Sequence, residues 1–233
     1  MKAFSLFALI VLAQSPAQAA DCVVFLHGLA RTSASMEKAA TAFENSGYTV
    51  ANVSYPSRKF PIEELAPLAI EAGLEKCPAN AVVHFVTHSL GGILVRYYLE
   101  HNEISNLGRV LMLAPPNQGS AVVDSLRRFP GFKAIHGPAG LQLGTREDSI
   151  PLMLGPVDYE VGIIAGTKTF NPILSQYLQN PDDGKVSVEN TKVQGMTDFV
   201  VVPHSHPFIM KSSVVIEQAF SFIETGRFAH AAP

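Results

Sequence analysis

Residues 82–98 read VVHFVTHSLGGILVRYY. The first five, VVHFV, are apolar and β-branched, the pattern of a strand buried on both faces. Residues 90–98 place Leu90, Ile93, Leu94, Tyr97 and Tyr98 at helical spacing. Between them stands Ser89, with Thr87 before it and Gly91 and Gly92 after it. A strand that passes at once into a helix brings two backbones almost into contact, and small residues relieve that contact. The serine at the apex points outward, at a helix N-terminus whose dipole and free N–H groups favour negative charge. The pattern is the nucleophile elbow G-x-S-x-G, with Thr87 where the first glycine stands.

Upstream, residues 23–26 (VVFL) form a short apolar strand stopped by His27-Gly28. A helix is expected over 32–45, with Ser33 or Ser35 as N-cap and Gly47 as its stop. A strand follows over 48–55, then a helix from Pro61 to Lys76 that Pro67 kinks or starts late. Beyond the elbow, 108–114 (GRVLMLA), 159–167 (YEVGIIAGT) and 197–202 read as strands. A short helix is expected over 172–179 and a final one over 208–224. Strands alternating with helices imply an α/β fold, a mostly parallel sheet with helices on both faces. Catalytic groups in such sheets collect at the carboxyl ends of the strands, where His27-Gly28, Ser89 and residues 115–119 all fall.

Residues 117–158 break the rhythm with Pro130, Pro138, Pro151, Pro156 and many glycines. This stretch reads as a small cap over that edge, helical around 120–128. Its apolar side chains either line an acyl pocket or pack the cap onto the core.

The composition is 47% hydrophobic and 16% charged, enough for a large core. With a net charge of −3 and no basic stripe, nucleic-acid binding has no support. Residues 1–19 read as a signal peptide: Lys2, an apolar run over 3–13, then Ala17-Gln18-Ala19 as a cleavage site. One domain over 20–233 is expected, exported to the periplasm or medium. Cys22 precedes the 23–26 strand and Cys77 ends a helical segment just before the 82–86 strand. If those strands are parallel neighbours, the two cysteines meet at the edge far from Ser89, and export permits a disulfide.

A serine hydroxyl needs a base, a group that fixes the base's tautomer, and donors aimed at the developing oxyanion. His206 and His204 both follow the last strand, and His206, just before the final helix, is preferred. The acid comes between Ser89 and the histidine. Asp183 is preferred over its neighbour Asp182 because Gly184 follows it, whose missing side chain lets a carboxylate approach closely, and Asp198 is a weaker rival near the wrong end of a strand. The N–H groups of Leu90 and Leu29 are the oxyanion donors, with Gly28 turning the second inward. His27 is misplaced for a base, His88 packs behind the serine, and His84 belongs to the core. His101, His136 and His230 are expected at the surface. Eight histidines without H-E-x-x-H or a cysteine cluster give no metal site and no cofactor.

Taken together, Phe25-Leu26-His27-Gly28, Val86-Thr87-His88-Ser89-Leu90-Gly91-Gly92, Asp183-Gly184 and His206 resemble the α/β-hydrolase superfamily. More narrowly, they resemble small bacterial lipases related to the GPI-inositol deacylases. The resemblance spans about residues 23–223 and implies a carboxylic ester hydrolase. Ser89 would be its nucleophile, Asp183 its acid, His206 its base, and Leu29 and Leu90 its oxyanion donors. The implied partners are a small-molecule ester or lipid and a transient lipid surface; oligomeric state is open. An acyltransferase or thioesterase using the same three residues is the alternative, and a non-catalytic binding protein of the same fold a more distant one.

Overall fold

The computed structural model describes residues 20–169 and 171–230; the expected signal peptide, 1–19, lies outside them. The elements, in order, are β1 (Cys22–Leu26), α1 (Glu37–Asn45), β2 (Thr49–Val53), α2 (Ile62–Leu74), β3 (Val83–His88), α3 (Leu90–His101) and β4 (Leu107–Leu113). They continue with α4 (Ala121–Leu126), α5 (Phe132–Leu141), α6 (Ile150–Met153), β5 (Val161–Gly166), α7 (Pro172–Ser175), α8 (Val188–Thr191), β6 (Asp198–Val202) and α9 (Ser213–Thr225). The strands form one all-parallel sheet in the order β2-β1-β3-β4-β5-β6. The fold is α/β, as the alternation of strands and helices predicts.

Alternation along β1 splits the core between the two faces of the sheet. Cys22, Val24 and Leu26 pack with α2 and α3, while Val23 and Phe25 pack with α1 and α9. All five are fully buried, which is why β1 reads as an unbroken apolar run. Because β1 and β3 pair in parallel, Cys22 and Cys77 do meet, and they form a disulfide with a Cα–Cα distance of 5.6 Å. The bridge lies at the amino ends of the strands, away from Ser89.

That bridge closes a loop of 55 residues containing β1, α1, β2 and α2. By the chain-entropy argument, opening such a loop costs about 4 kcal/mol. A Cys22→Ala, Cys77→Ala protein is therefore expected to unfold at a markedly lower urea midpoint than the oxidised wild type. An unchanged midpoint would contradict this.

Several local expectations are corrected. Ser33 and Ser35 cap no α-helix: they form a 3₁₀ turn, and α1 starts only after Met36. Ser35 directs its hydroxyl to the Thr32 carbonyl instead. Helix α2 runs through Pro67 from an N-cap at Pro61 rather than starting late. The last helix begins at Ser213, later than expected, because Ser212 is extended (φ −74°, ψ 132°). Before that break, Ile209 and Met210 bury themselves in a 3₁₀ turn. Helix α7 stops at Ser175, and the four-residue α8 had no recognisable signal.

Between β4 and β5 the chain makes three short helices, α4 to α6, instead of the one expected. Its apolar residues divide. Leu126, Leu141, Ile150 and Leu154 pack on the α2–α3 side of the core, Phe132 and Leu143 face a cavity, and Phe129, Ile135 and Met153 are exposed.

Candidate active site

Ser89 sits at the junction of β3 and α3 with φ 53° and ψ −117°. This is a left-handed conformation that side chains other than glycine adopt only at a cost of about 1–3 kcal/mol. The neighbours hold it there. A Cβ on Gly91 would lie 2.7 Å from the Leu26 carbonyl oxygen, so only glycine lets α3 start this close to β1. A Cβ on Gly28 would lie 2.6 Å from His88 Nδ1 and 3.3 Å from Ser89 Cβ. Thr87, where the pattern has its first glycine, is fully buried, and its hydroxyl donates to the Leu111 carbonyl at 3.2 Å.

His206 follows β6 and reaches across the carboxyl edge of the sheet. Its Nε2 is 3.0 Å from Ser89 Oγ, and its Nδ1 is 2.7 Å from Asp183 Oδ2. With the proton on Nδ1, the imidazole donates to the carboxylate and Nε2 is left to accept from the serine. Asp183 is almost fully buried. Its other oxygen accepts the N–H groups of Lys185 and Val186 at 2.9 and 2.8 Å. The His206 backbone is fixed too: its N–H donates to the Asp183 carbonyl at 3.0 Å, and its carbonyl accepts from His88 Nε2 at 3.0 Å.

The rival residues are engaged elsewhere. Asp182 points the other way, accepting from Gly184 N–H at 2.7 Å and from the Ser175 hydroxyl. His204 bonds the Ser212 hydroxyl at 2.9 Å. Asp198 holds His230 at 2.9 Å, at the start of β6. The close approach expected at Gly184 occurs at Gly166, where a Cβ would lie 3.0 Å from Asp183 Cβ and 2.4 Å from the His204 carbonyl oxygen. Gly184 serves the turn itself, with φ 91°. Sequence reasoning missed Gly166; a glycine ending a strand was its only visible trace.

His27 braces the loop after β1. Its ring stacks on Tyr55 with centroids 4.0 Å apart. Its Nδ1 donates to the Gly28 carbonyl at 2.9 Å, and its Nε2 accepts the Tyr55 N–H at 3.2 Å. The Ala30 N–H is taken by Ser57 Oγ at 3.1 Å. The Leu29 and Leu90 N–H groups have no acceptor among the described residues; Leu90 follows Ser89 directly, and Leu29 lines the same cavity as Ser89. Among the described residues, no three His, Cys, Asp or Glu side chains converge as metal ligands.

A mostly apolar cavity of about 550 Å³ opens over Ser89, walled in part by Leu29, Val122, Val123, Phe132 and Leu143. His136, expected at the surface, lines it instead, because α5 folds back over the edge and carries the ring inward.

Burial holds His27, His84 and His88 neutral, each with its pKa below 6.5 and His88 well below; the Asp21 carboxylate only partly offsets this at His84. For a base, a depressed folded pKa costs no stability well above the unfolded value near 6.5, and it destabilises the fold progressively as pH falls from there towards the folded value, because the unfolded chain takes up the proton first. The melting temperature is therefore expected to drop as pH is lowered below 6.5. His88→Gln, which removes the most strongly shifted group, is expected to flatten that acid limb. An unchanged pH slope in this variant would contradict the assignment.

No family profile matches the chain, and no curated protein matches it in sequence. Solved structures do resemble it. A lipase of Bacillus licheniformis, BlEst2 in mature form, aligns over 93% of this chain and 96% of its own at 19% identity, with a TM-score of 0.66. The phospholipase PlaB of Legionella pneumophila aligns over 86% of this chain and 57% of its own at 19% identity, TM-score 0.65. The metagenomic carboxyl esterase MGS0156 aligns over 87% and 68% at 19% identity, TM-score 0.61. These likenesses, with the six-stranded parallel sheet and its flanking helices, identify the α/β-hydrolase fold.

Proposed function

We propose that the protein is a serine hydrolase of carboxylic esters, acting on lipid or other acyl esters through an acyl-enzyme on Ser89. One observation carries this reading: the continuous hydrogen-bonded series Ser89–His206–Asp183 at the floor of an apolar cavity. His206 Nε2 takes the Ser89 proton as Oγ attacks the ester carbonyl, and later returns it to the departing alcohol. Asp183 holds the Nδ1–H tautomer and stabilises the imidazolium. The N–H groups of Leu29 and Leu90 meet the oxyanion. Water, activated by the same histidine, then releases the acid. Lipases and esterases among the solved structures of this fold agree with the reading. The narrower kinship with GPI-inositol-deacylase-like lipases rests on sequence alone, chiefly on the His88-Ser89-Leu90-Gly91-Gly92 elbow together with the upstream His27-Gly28.

Residues 117–158 act, in this proposal, as a cap whose Phe132 and Leu143 help to receive the acyl chain. Export of the chain after removal of residues 1–19 fits the Cys22–Cys77 disulfide. No helix among the described residues is long and apolar enough to cross a membrane.

The test is labelling with a fluorophosphonate probe, followed by a p-nitrophenyl ester series from acetate to palmitate. The wild type is expected to label stoichiometrically and the Ser89→Ala protein not at all. Equal labelling of the two would overturn the proposal.

A further inference from the structure

The cavity over Ser89 carries a charge pattern that ester hydrolysis does not require. Arg31, His136 and Lys185 all line it. Asp183 is the single acidic group among its described lining residues, and both its oxygens are already engaged, by His206 and by two backbone N–H groups. Neither Arg31 nor Lys185 forms an ion pair with any carboxylate among the described residues.

Lys185 is half-buried, and burial lowers its pKa, with Asp183 pulling it up and Arg31 pushing it further down. His136 is lowered by burial first, then by Lys185 and Arg58. All three basic side chains border the same cavity as Ser89. The Lys185 ammonium makes no ion pair among the described residues, so its charge is open to an anion that enters the cavity. A lysine that served solubility alone would extend into solvent instead of forming the wall of an apolar cavity. Val122, Val123 and Phe132 line the same cavity and suit a hydrocarbon chain.

We propose that Arg31 and Lys185 bind an anionic oxyacid group, a carboxylate or a phosphate, carried by the ester substrate, so that the site selects anionic amphiphiles over neutral esters. The proposal deepens the ester-hydrolase reading and rests on it. Arginine meets such a group with a fork of donors and lysine with a mobile point charge. Arg31 is exposed and Lys185 half-buried, so the apolar surroundings strengthen the lysine contact more than the arginine one.

Binding is measured first, by calorimetry at low salt, on the full chain carrying Ser89→Ala so that nothing is turned over. The probes are octyl phosphate, octanoate and octanol. At least one anion is expected to bind about tenfold more tightly than octanol, as one charge-assisted contact predicts. The comparison of octyl phosphate with octanoate tells which oxyacid the site prefers. Raising the salt concentration should erode the preference. Lys185→Met with Arg31→Gln should abolish it, and Lys185→Arg should keep it. Lys185→Met retains the backbone N–H that Asp183 accepts, and the melting temperature checks that each variant folds. Octanol binding as tightly as both anions, or a preference that survives the double substitution, would overturn the proposal. Turnover is then compared between p-nitrophenyl hydrogen glutarate and its neutral methyl ester. Anion preference in binding together with failure of the wild type to label at Ser89 would overturn the hydrolase reading and leave the anion site standing.

Discussion

Replacing Ser89 by alanine is expected to lower kcat for a p-nitrophenyl ester by a factor of about 10⁵, the scale on which nucleophile, base and acid act as a unit. The geometry gives the reason. Ser89 Oγ lies 3.0 Å from His206 Nε2, and without the hydroxyl the base has no proton to take. The same argument applies from the other end, so His206→Ala should cost a similar factor. The double variant should be no worse than either single one. Steady-state kinetics on the three proteins decide the matter: additive losses, or a Ser89→Ala residual above about one per cent of wild type, would mean that the two residues do not act together. A structural readout goes with it. Alanine keeps the Cβ that makes φ 53° costly, whereas glycine does not. Ser89→Gly is thus expected to melt at a higher temperature than Ser89→Ala.

Asp183→Asn is expected to reduce kcat by about 10⁴, and Asp182→Asn by less than about tenfold. Both aspartates are almost fully buried, so burial does not tell them apart; their partners do. An amide at 183 that keeps its oxygen towards the Lys185 and Val186 N–H groups presents its NH₂ to His206 Nδ1. Imidazole then carries its proton on Nε2 and has no lone pair for Ser89. At 182, an amide oxygen still accepts from Gly184, and the NH₂ donates to the Ser175 hydroxyl. That substitution is felt in the melting temperature more than in turnover. Kinetics showing the larger loss at 182 would reverse the roles given to the two residues.

How much of this was legible in advance depends on the range of the interaction. The β3–α3 turn is local: small residues at 87, 91 and 92 around a serine specify a tight strand-to-helix passage. The disulfide needed only two short strands in parallel register, β1 beside β3. The pairing of Asp183 with His206 is of another kind. Adjacent residues in an irregular turn point in directions that no periodicity predicts, and which one faces the histidine is decided by the β5–β6 packing that fixes both loops. Gly166 was invisible for the same reason, because its neighbours Asp183 and His204 come from elsewhere in the chain. In the 117–158 stretch, prolines and glycines erase the helical period. Even so, α4 to α6 form, held by tertiary contacts: the Gln142 amide joins α5's end to the start of α2 at Ile62 and Glu63. His136 was misplaced because a single histidine amid prolines gives no hint of which side it faces.

Arg96, in the helix behind the nucleophile, is buried and reaches five backbone or side-chain oxygens. At the entrance of the 117–158 stretch it donates to the Asn117 carbonyl and side chain at 3.1 and 3.2 Å. At the exit it meets the Pro151, Leu154 and Gly155 carbonyls at 3.5, 3.1 and 3.0 Å. One guanidinium thus acts as a common rivet for both ends of the stretch, driven into the same helix whose first turn begins beside Ser89. Substitutions among the intervening residues that line the cavity are therefore expected to reshape its wall, while the two joints keep their distance from the reaction edge.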